Sequence, residues 1–310
     1  MNRIDQSEKQ ISRMVLVTIV FVIMLIYIIV RHRVGARLQK AHNLLKDAYD
    51  QLEETTTAKE RMESELRIAR NIQMSMLPSV FPEIDGLDMY ASMTPAKEVG
   101  GDMYNFIREG DKLYFCIGDV SGKGVPASLF MAIVTRGFRT LALTGKSPAE
   151  IATRLNFELT ENNDEGMFVT MFICRLDMKT LQLEYCNAGH NPPIIGNADG
   201  QFTFLDVQPN APIGLWPGLE YEGEEIELLD NQRLLLYTDG LNEAENRQQE
   251  QYGEDRIIQL LTSHSSSNCR DIIEALKSDT DLFRDGAEQN DDLTMLAVRV
   301  SRSSGLTATT

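Results

Sequence analysis

From Met14 to Val30 the chain runs MVLVTIVFVIMLIYIIV without one charge, bracketed by Arg13 and Arg31. At about 1.5 Å per helical residue this run extends about 26 Å, near the lower limit for crossing a hydrocarbon core. Flanking arginines relax that limit by snorkelling to the two interfaces. The competing reading, a cleaved signal peptide, calls for a shorter apolar core followed by small residues; here RHRVGAR follows. Residues 14–30 are therefore expected to form an uncleaved single-pass transmembrane helix behind a short tail, 1–13. The net charge of −16 is unevenly placed, since residues 1–37 carry six basic side chains against two acidic ones. A basic end suits an anionic membrane face, and an acidic body argues against a nucleic-acid partner. Counting Arg31, Arg33, Arg37 and Lys40 against Arg3, Lys9 and Arg13 favours a cytoplasmic body by a small margin. Four scattered cysteines without a CxxC pair, and only four histidines, speak against a Cys/His zinc site. Reduced, buried thiols in a reducing compartment fit better than a disulfide framework.

Behind the span a heptad pattern is visible. Leu38, Leu45, Leu52, Lys59, Leu66 and Gln73 fall at a positions, and Ala41, Ala48, Thr55, Met62, Ala69 and Met76 at d. No Pro or Gly interrupts residues 38–77, and Pro78 marks the stop. The spacing predicts a helical coiled-coil linker over 31–78 that pairs with a second copy of the chain, weakened at Lys59 and Thr55. One long solvated helix is the plainer alternative, because small d residues make a thin seam.

Past Pro82 short β-rich runs alternate with Gly, Asp, Asn and Pro turns. Strands are expected over 88–94, 103–108, 112–118, 168–176, 181–187, 201–205, 224–229, 233–238 and 293–300. Helices are expected over 125–143, 148–162, 254–262 and 270–283. Strands segregated around helical pairs indicate an α+β domain, not a doubly wound sheet. The domain is expected over 80–300, with a small polar tail at 301–310.

The chemistry signal is a set of aspartates at strand boundaries beside glycine: Asp102 in VGGDMYN, Asp119 in CIGDVSGKG, Asp239 in LLLYTDGLNEA, and Asp291 with Asp292 in QNDDLTMLAVRV. Any one of them could be a turn former, since Asp-Gly and Gly-Asp are common turn dipeptides. Gathered at one rim they would repel unless cations lay between them, and all-oxygen sites suit Mg²⁺ or Mn²⁺. Two lookalikes fail. IGDVSGKG has Ile117 where a Walker A loop needs its first Gly and Gly124 where it needs Ser or Thr. VGGDMYN places Met103 and Tyr104 where a GGDEF loop has its acidic and aromatic pair.

The ordered series ELRIARNIQMSMLP, PAKEVGGDMYN, GDVSGKGVPASLFMA, FVTMFICRLD, YCNAGHNPP, NAPIGL, LYTDGLNEA and NDDLTMLAVRV resembles the SpoIIE/RsbU branch of the PPM (type 2C-like) serine/threonine phosphatases over about 220 residues. The resemblance implies a β-sandwich of two antiparallel sheets flanked by helices, with two Mn²⁺ or Mg²⁺ ions at one end. It implies as ligands Asp102, Asp119, the Val120 carbonyl, Asp239 and Asp291, with Asp292 and Lys123 as possible outer neighbours. Asn105 stands where the family often has Asp, and no ligand is placed there. The eukaryotic Asp-Gly-His is missing; Val120 and Ser121 occupy its place, which leaves the leaving-group proton unassigned. His190 is expected to make a structural hydrogen bond, Trp216 to pack a loop against the sheet edge, and Leu129, Ile133 and Phe138 to face the core. Lys123 is either a phosphate-neutralising group or an ordinary exposed loop lysine.

The activity so implied is hydrolysis of phosphoserine or phosphothreonine on a protein, by resemblance a STAS-domain (anti-anti-sigma-like) regulator. A membrane-tethered pseudophosphatase that only binds its partner is the non-enzymatic alternative, and four intact aspartates weigh against it. A sensor kinase would share the anchor-plus-coil layout, but His42 lies in the coil with no ATP-binding motif behind it.

Overall fold

The computed structural model describes residues 2–302 apart from 162 and 198, and side chains from residue 6 onward. The expected polar tail therefore lies, beyond Arg302, outside the described residues. The chain divides into two compact units, residues 1–64 and 65–310. In the first there is one element, the beginning of helix α1 (Asn2–Met76), which merges the expected tail, span and linker. Its apolar stretch has a mean hydropathy of 2.8, so by length and composition it could cross a membrane. Leu38, Leu45 and Leu52 are exposed along it.

The second unit holds the last turns of α1 and two sheets. The first sheet has the order β1 (Leu87–Thr94), β11 (Leu293–Val300), β10 (Arg233–Tyr237), β6 (Ile194–Gly196), β7 (Phe202–Phe204). The second has the order β2 (Met103–Glu109), β3 (Lys112–Val120), β4 (Val169–Asp177), β5 (Gln182–Ala188), β8 (Pro209–Asn210), with β9 (Glu224–Glu227) also on β5. Between these strands pairing is antiparallel except for the short parallel step of Asn187 and Ala188 on Pro209 and Asn210. In β3, Leu113, Tyr114, Phe115, Cys116 and Ile117 are all buried, so both faces of the strand are covered. That is why the run is continuously apolar and not alternating.

Helices α2 (Val125–Ala142) and α3 (Pro148–Thr160) cover the second sheet, and α5 (Glu254–Ser263) and α6 (Cys269–Arg284) the first. Helix α3 starts at a capping box, in which Ser147 Oγ accepts from Glu150 N and the Glu150 carboxylate accepts from Ser147 N. Helix α2 buries Ala127, Met131, Val134 and Phe138. The expectation for two of its residues is corrected: Leu129 and Ile133 are exposed. Apolar residues occupy more than one face of α2, and periodicity alone could not say which face meets the sheet. Trp216 is also corrected, its side chain being exposed while its carbonyl accepts from Asn156 Nδ2. All four cysteines are free and buried, as expected.

Gln73, placed by the heptad at an a position, is buried within its own unit. Its Nε2 donates to Gly100 O at 2.6 Å and its Oε1 accepts from Gly100 N at 3.1 Å. This side chain is thus committed to the loop between β1 and β2, not to a facing coil.

Candidate active site

The four aspartates come from four segments and from both sheets. Asp102 immediately precedes β2, and Asp119 is the penultimate residue of β3. Asp239 opens the short helix α4 (Asp239–Asn242) behind β10, with Thr238 as its N-cap, and Asp291 stands just before β11. The expected strand 233–238 therefore stops at Tyr237, and Asp239 belongs to a turn of helix that no periodicity could signal. At position 240 a Cβ would stand 1.9 Å from the Asp292 carbonyl oxygen, so only glycine lets α4 lie against the Asp291–Asp292 backbone.

Asp102 is 1% exposed, and its Oδ2 accepts a 2.7 Å hydrogen bond from Thr238 Oγ1. Burial, with Asp119 and Asp292 alongside, holds its carboxyl well above the ordinary carboxylate range. Asp119 is pushed up to about 7, by burial first and then by Asp239 and Asp291. Asp239 is raised by burial and by Asp291. The carboxylates thus form a chain of neighbours, Asp102 beside Asp119 and Asp119 beside Asp239 and Asp291. The Val120 carbonyl lies against the backbone ahead of Asp102, 2.9 Å from where a Gly101 Cβ would be.

Two further charged side chains frame the rim. Asp292 is buried, its Oδ1 accepting from Ala96 N at 2.8 Å and its Oδ2 from Gly101 N at 2.7 Å. It organises the loop that carries Asp102. Lys123 Nζ lies 2.7 Å from Asp291 Oδ2 and also donates to Asn290 O. His190 is buried between the sheets. Its Nε2 faces Tyr237 O at 3.1 Å and its Nδ1 faces Thr170 Oγ1 at 2.9 Å. A carbonyl can only accept, so Nε2 carries the proton and Nδ1 accepts from Thr170. Burial pushes this imidazole down to about 4, and the neutral ring acts as a bracket between β4 and β10.

Among the described residues no three His, Cys, Asp or Glu side chains stand as a ready-made ion cage. Two of the four carboxylates are turned instead toward protein partners, Asp102 toward Thr238 and Asp291 toward Lys123. The donor chemistry nonetheless fits hard divalent cations: oxygen atoms only, and more negative charge than one lysine balances. Sequence reasoning missed Thr238 and Gln73. Thr238 is flagged in the sequence only by its place before Asp-Gly; Gln73 is flagged only as a polar residue on an apolar seam.

A family model described as Stage II sporulation protein E (SpoIIE) matches residues 109–301. The chain belongs to the SpoIIE family, among the RsbU-type PPM phosphatases. Within that family it is 28% identical over 254 residues to phosphoserine phosphatase RsbU of Bacillus subtilis, covering 81% of this chain and 75% of RsbU. The RsbU and RsbW domains of a Mycobacterium tuberculosis protein align with TM-score 0.62 and 28% identity over 72% of this chain; this chain spans 62% of theirs. The SiaA-PP2C domain of Pseudomonas aeruginosa aligns with TM-score 0.69 at 21% identity, covering 79% of this chain and 99% of that domain. This last likeness speaks to the two-sheet fold.

Proposed function

We propose that the protein is a membrane-anchored, metal-dependent phosphatase that hydrolyses phosphoserine or phosphothreonine on a protein substrate. The observation that carries the reading is the gathering of Asp102, Asp119, Asp239 and Asp291 from both sheets at one rim, where, on top of burial, Asp102 is raised by Asp119, Asp119 by Asp239 and Asp291, and Asp239 by Asp291. Two Mn²⁺ or Mg²⁺ ions would be held by these four carboxylates and the Val120 carbonyl. When bound they supply Lewis acidity toward water and a phosphoryl group. The chain's own part is positional. Thr238 and the loop tied by Asp292 fix the direction of Asp102. His190 has both ring nitrogens engaged and is buried, so it braces the rim and does not serve as a proton donor to the leaving oxygen.

The 28% identity to RsbU supports a phosphoserine substrate, and the RsbU and RsbW domains joined in the mycobacterial protein support a partner-switching setting. The substrate in this reading is a phosphorylated STAS-domain protein. Residues 14–30 anchor the chain in the membrane, the catalytic domain faces the cytoplasm, and the heptads ahead of Gln73 in the 31–78 linker pair two copies.

The test uses the full-length chain in nanodiscs with a phosphorylated STAS-domain protein and Mn²⁺. Phosphate release should be abolished by EDTA and by Asp119→Ala or Asp239→Ala. Release that persists without metal, or survives both substitutions, would overturn the reading.

A further inference from the structure

Lys123 occupies a place at the rim that the phosphatase reading leaves unused. It sits in the loop between β3 and α2, yet its ammonium lies on Asp291 Oδ2 and on the Asn290 carbonyl, both at 2.7 Å, across from it in the loop before β11. Both carboxylate oxygens of Asp291 are engaged, since its Oδ1 accepts from Asp292 N at 2.9 Å. A cation that is to use Oδ2 of this carboxylate has to share it with the ammonium or displace it. The ammonium also lies within electrostatic reach of Asp239 and Asp292, so it neutralises the same side of the rim that an ion between Asp239 and Asp291 would neutralise. Asp102, on the other side, is held by the neutral hydroxyl of Thr238.

The lysine can leave. Its side chain is 46% exposed, so water waits for the ammonium. It is flanked by Gly122 (φ 87°) and Gly124 (φ 76°), and a Cβ at either would meet nothing within 4 Å. Open space on both sides lets the lysine side chain turn to solvent while Ser121 and Gly124 keep their hydrogen bonds to Phe168 and Ser128.

We propose that Lys123 is a tethered cation that competes with the incoming divalent ion for Asp291, weakens binding on the Asp239–Asp291 side, and clasps the two loops until it is displaced. This rests on the metal reading of the rim. It differs from a fixed phosphate-binding lysine, which would leave ion affinity alone.

The experiment is Mn²⁺ titration of the full-length protein in nanodiscs, by calorimetry and by the electron paramagnetic resonance of free Mn²⁺, for wild type, Lys123→Met and Lys123→Arg. Losing a half-exposed ion pair should tighten the weaker of the two Mn²⁺ sites about fivefold in Lys123→Met. Lys123→Arg, which keeps the charge, should bind Mn²⁺ no more tightly than wild type. Thermal unfolding with and without Mn²⁺ is a second readout: the rise in Tm on adding the ion should be larger in Lys123→Met. Unchanged or weaker Mn²⁺ affinity in Lys123→Met, with wild type binding the ion, refutes the competition alone. A wild type that binds no Mn²⁺ overturns both the competition and the metal reading.

Discussion

Replacing Asp292 by alanine probes the loop that delivers Asp102. Its two carboxylate oxygens accept from the backbone N–H groups of Ala96 and Gly101 at 2.8 and 2.7 Å, in a buried setting. Charge-assisted hydrogen bonds of this kind are worth about 1.5–3 kcal/mol each. Deleting both acceptors leaves two donors without partners, a loss of about 3–6 kcal/mol. Relief of repulsion toward Asp102 offsets this by about 1 kcal/mol. The net of about 2–5 kcal/mol is a large share of the about 5–15 kcal/mol that holds a typical domain together. Asp292→Asn should fall between, since its amide keeps one acceptor but turns an NH₂ toward the other N–H. The global readout is a drop in Tm of about 5–15 °C in Asp292→Ala. The local readout is hydrogen exchange, in which the peptide carrying Ala96 to Asp102 should lose protection while the center of β3 keeps it. An Asp292→Ala protein within 1 kcal/mol of wild type by the same measure, with that peptide still protected, would refute the assigned role.

Three further outcomes follow from the same structure. His190 is held neutral down to about pH 4 in the fold, against an ordinary value of about 6.5 in the unfolded chain. As pH falls through that window the unfolded chain takes up the proton first, so folding should lose about 3 kcal/mol that His190→Gln does not lose; the difference between their Tm–pH curves measures it. Gln73→Ala removes both hydrogen bonds to Gly100 and should cost about 1–3 kcal/mol, while Gln73→Leu, which restores bulk but not the bonds, should not recover it. Cys116, Cys174, Cys186 and Cys269 are buried, with thiols raised chiefly by burial; a thiol reagent should leave them untouched in the native protein and titrate all four in denaturant.

Strands whose two faces are both covered were legible because their residues are apolar without a break, as in β3, and helices α3, α5 and α6 because they carry a cap or a clear apolar stripe. The elements that were not legible are short. Ile194–Gly196, Pro209–Asn210 and Asp239–Asn242 are each too brief for any period to emerge, and neighbours already in place decide their shape. The aspartates stood out through their position between an apolar run and a glycine. Which of their oxygens are already taken was not legible, because the takers lie far away in sequence: Thr238 for Asp102, Lys123 for Asp291, and the N–H groups of Ala96 and Gly101 for Asp292. Gln73 illustrates the same limit. Its heptad position describes a pattern along one helix, whereas its amide answers to a loop on another part of the chain.

The polar contacts at this end of the molecule run across the seam between the layers. Tyr237 and Thr238, at the C-terminal end of β10 in the first sheet, meet His190 and Asp102 from the second. Lys123 reaches from the second sheet to Asp291 on the first. The opposing sheets elsewhere meet through apolar side chains, which can slide without losing a specific partner. Here they are buttoned together, so a shear of one layer over the other by a fraction of an ångström would register as broken bonds at the aspartates while the oily interior still adhered. The four aspartates therefore sit where specific hydrogen bonds, and not apolar packing alone, set the alignment of the two sheets.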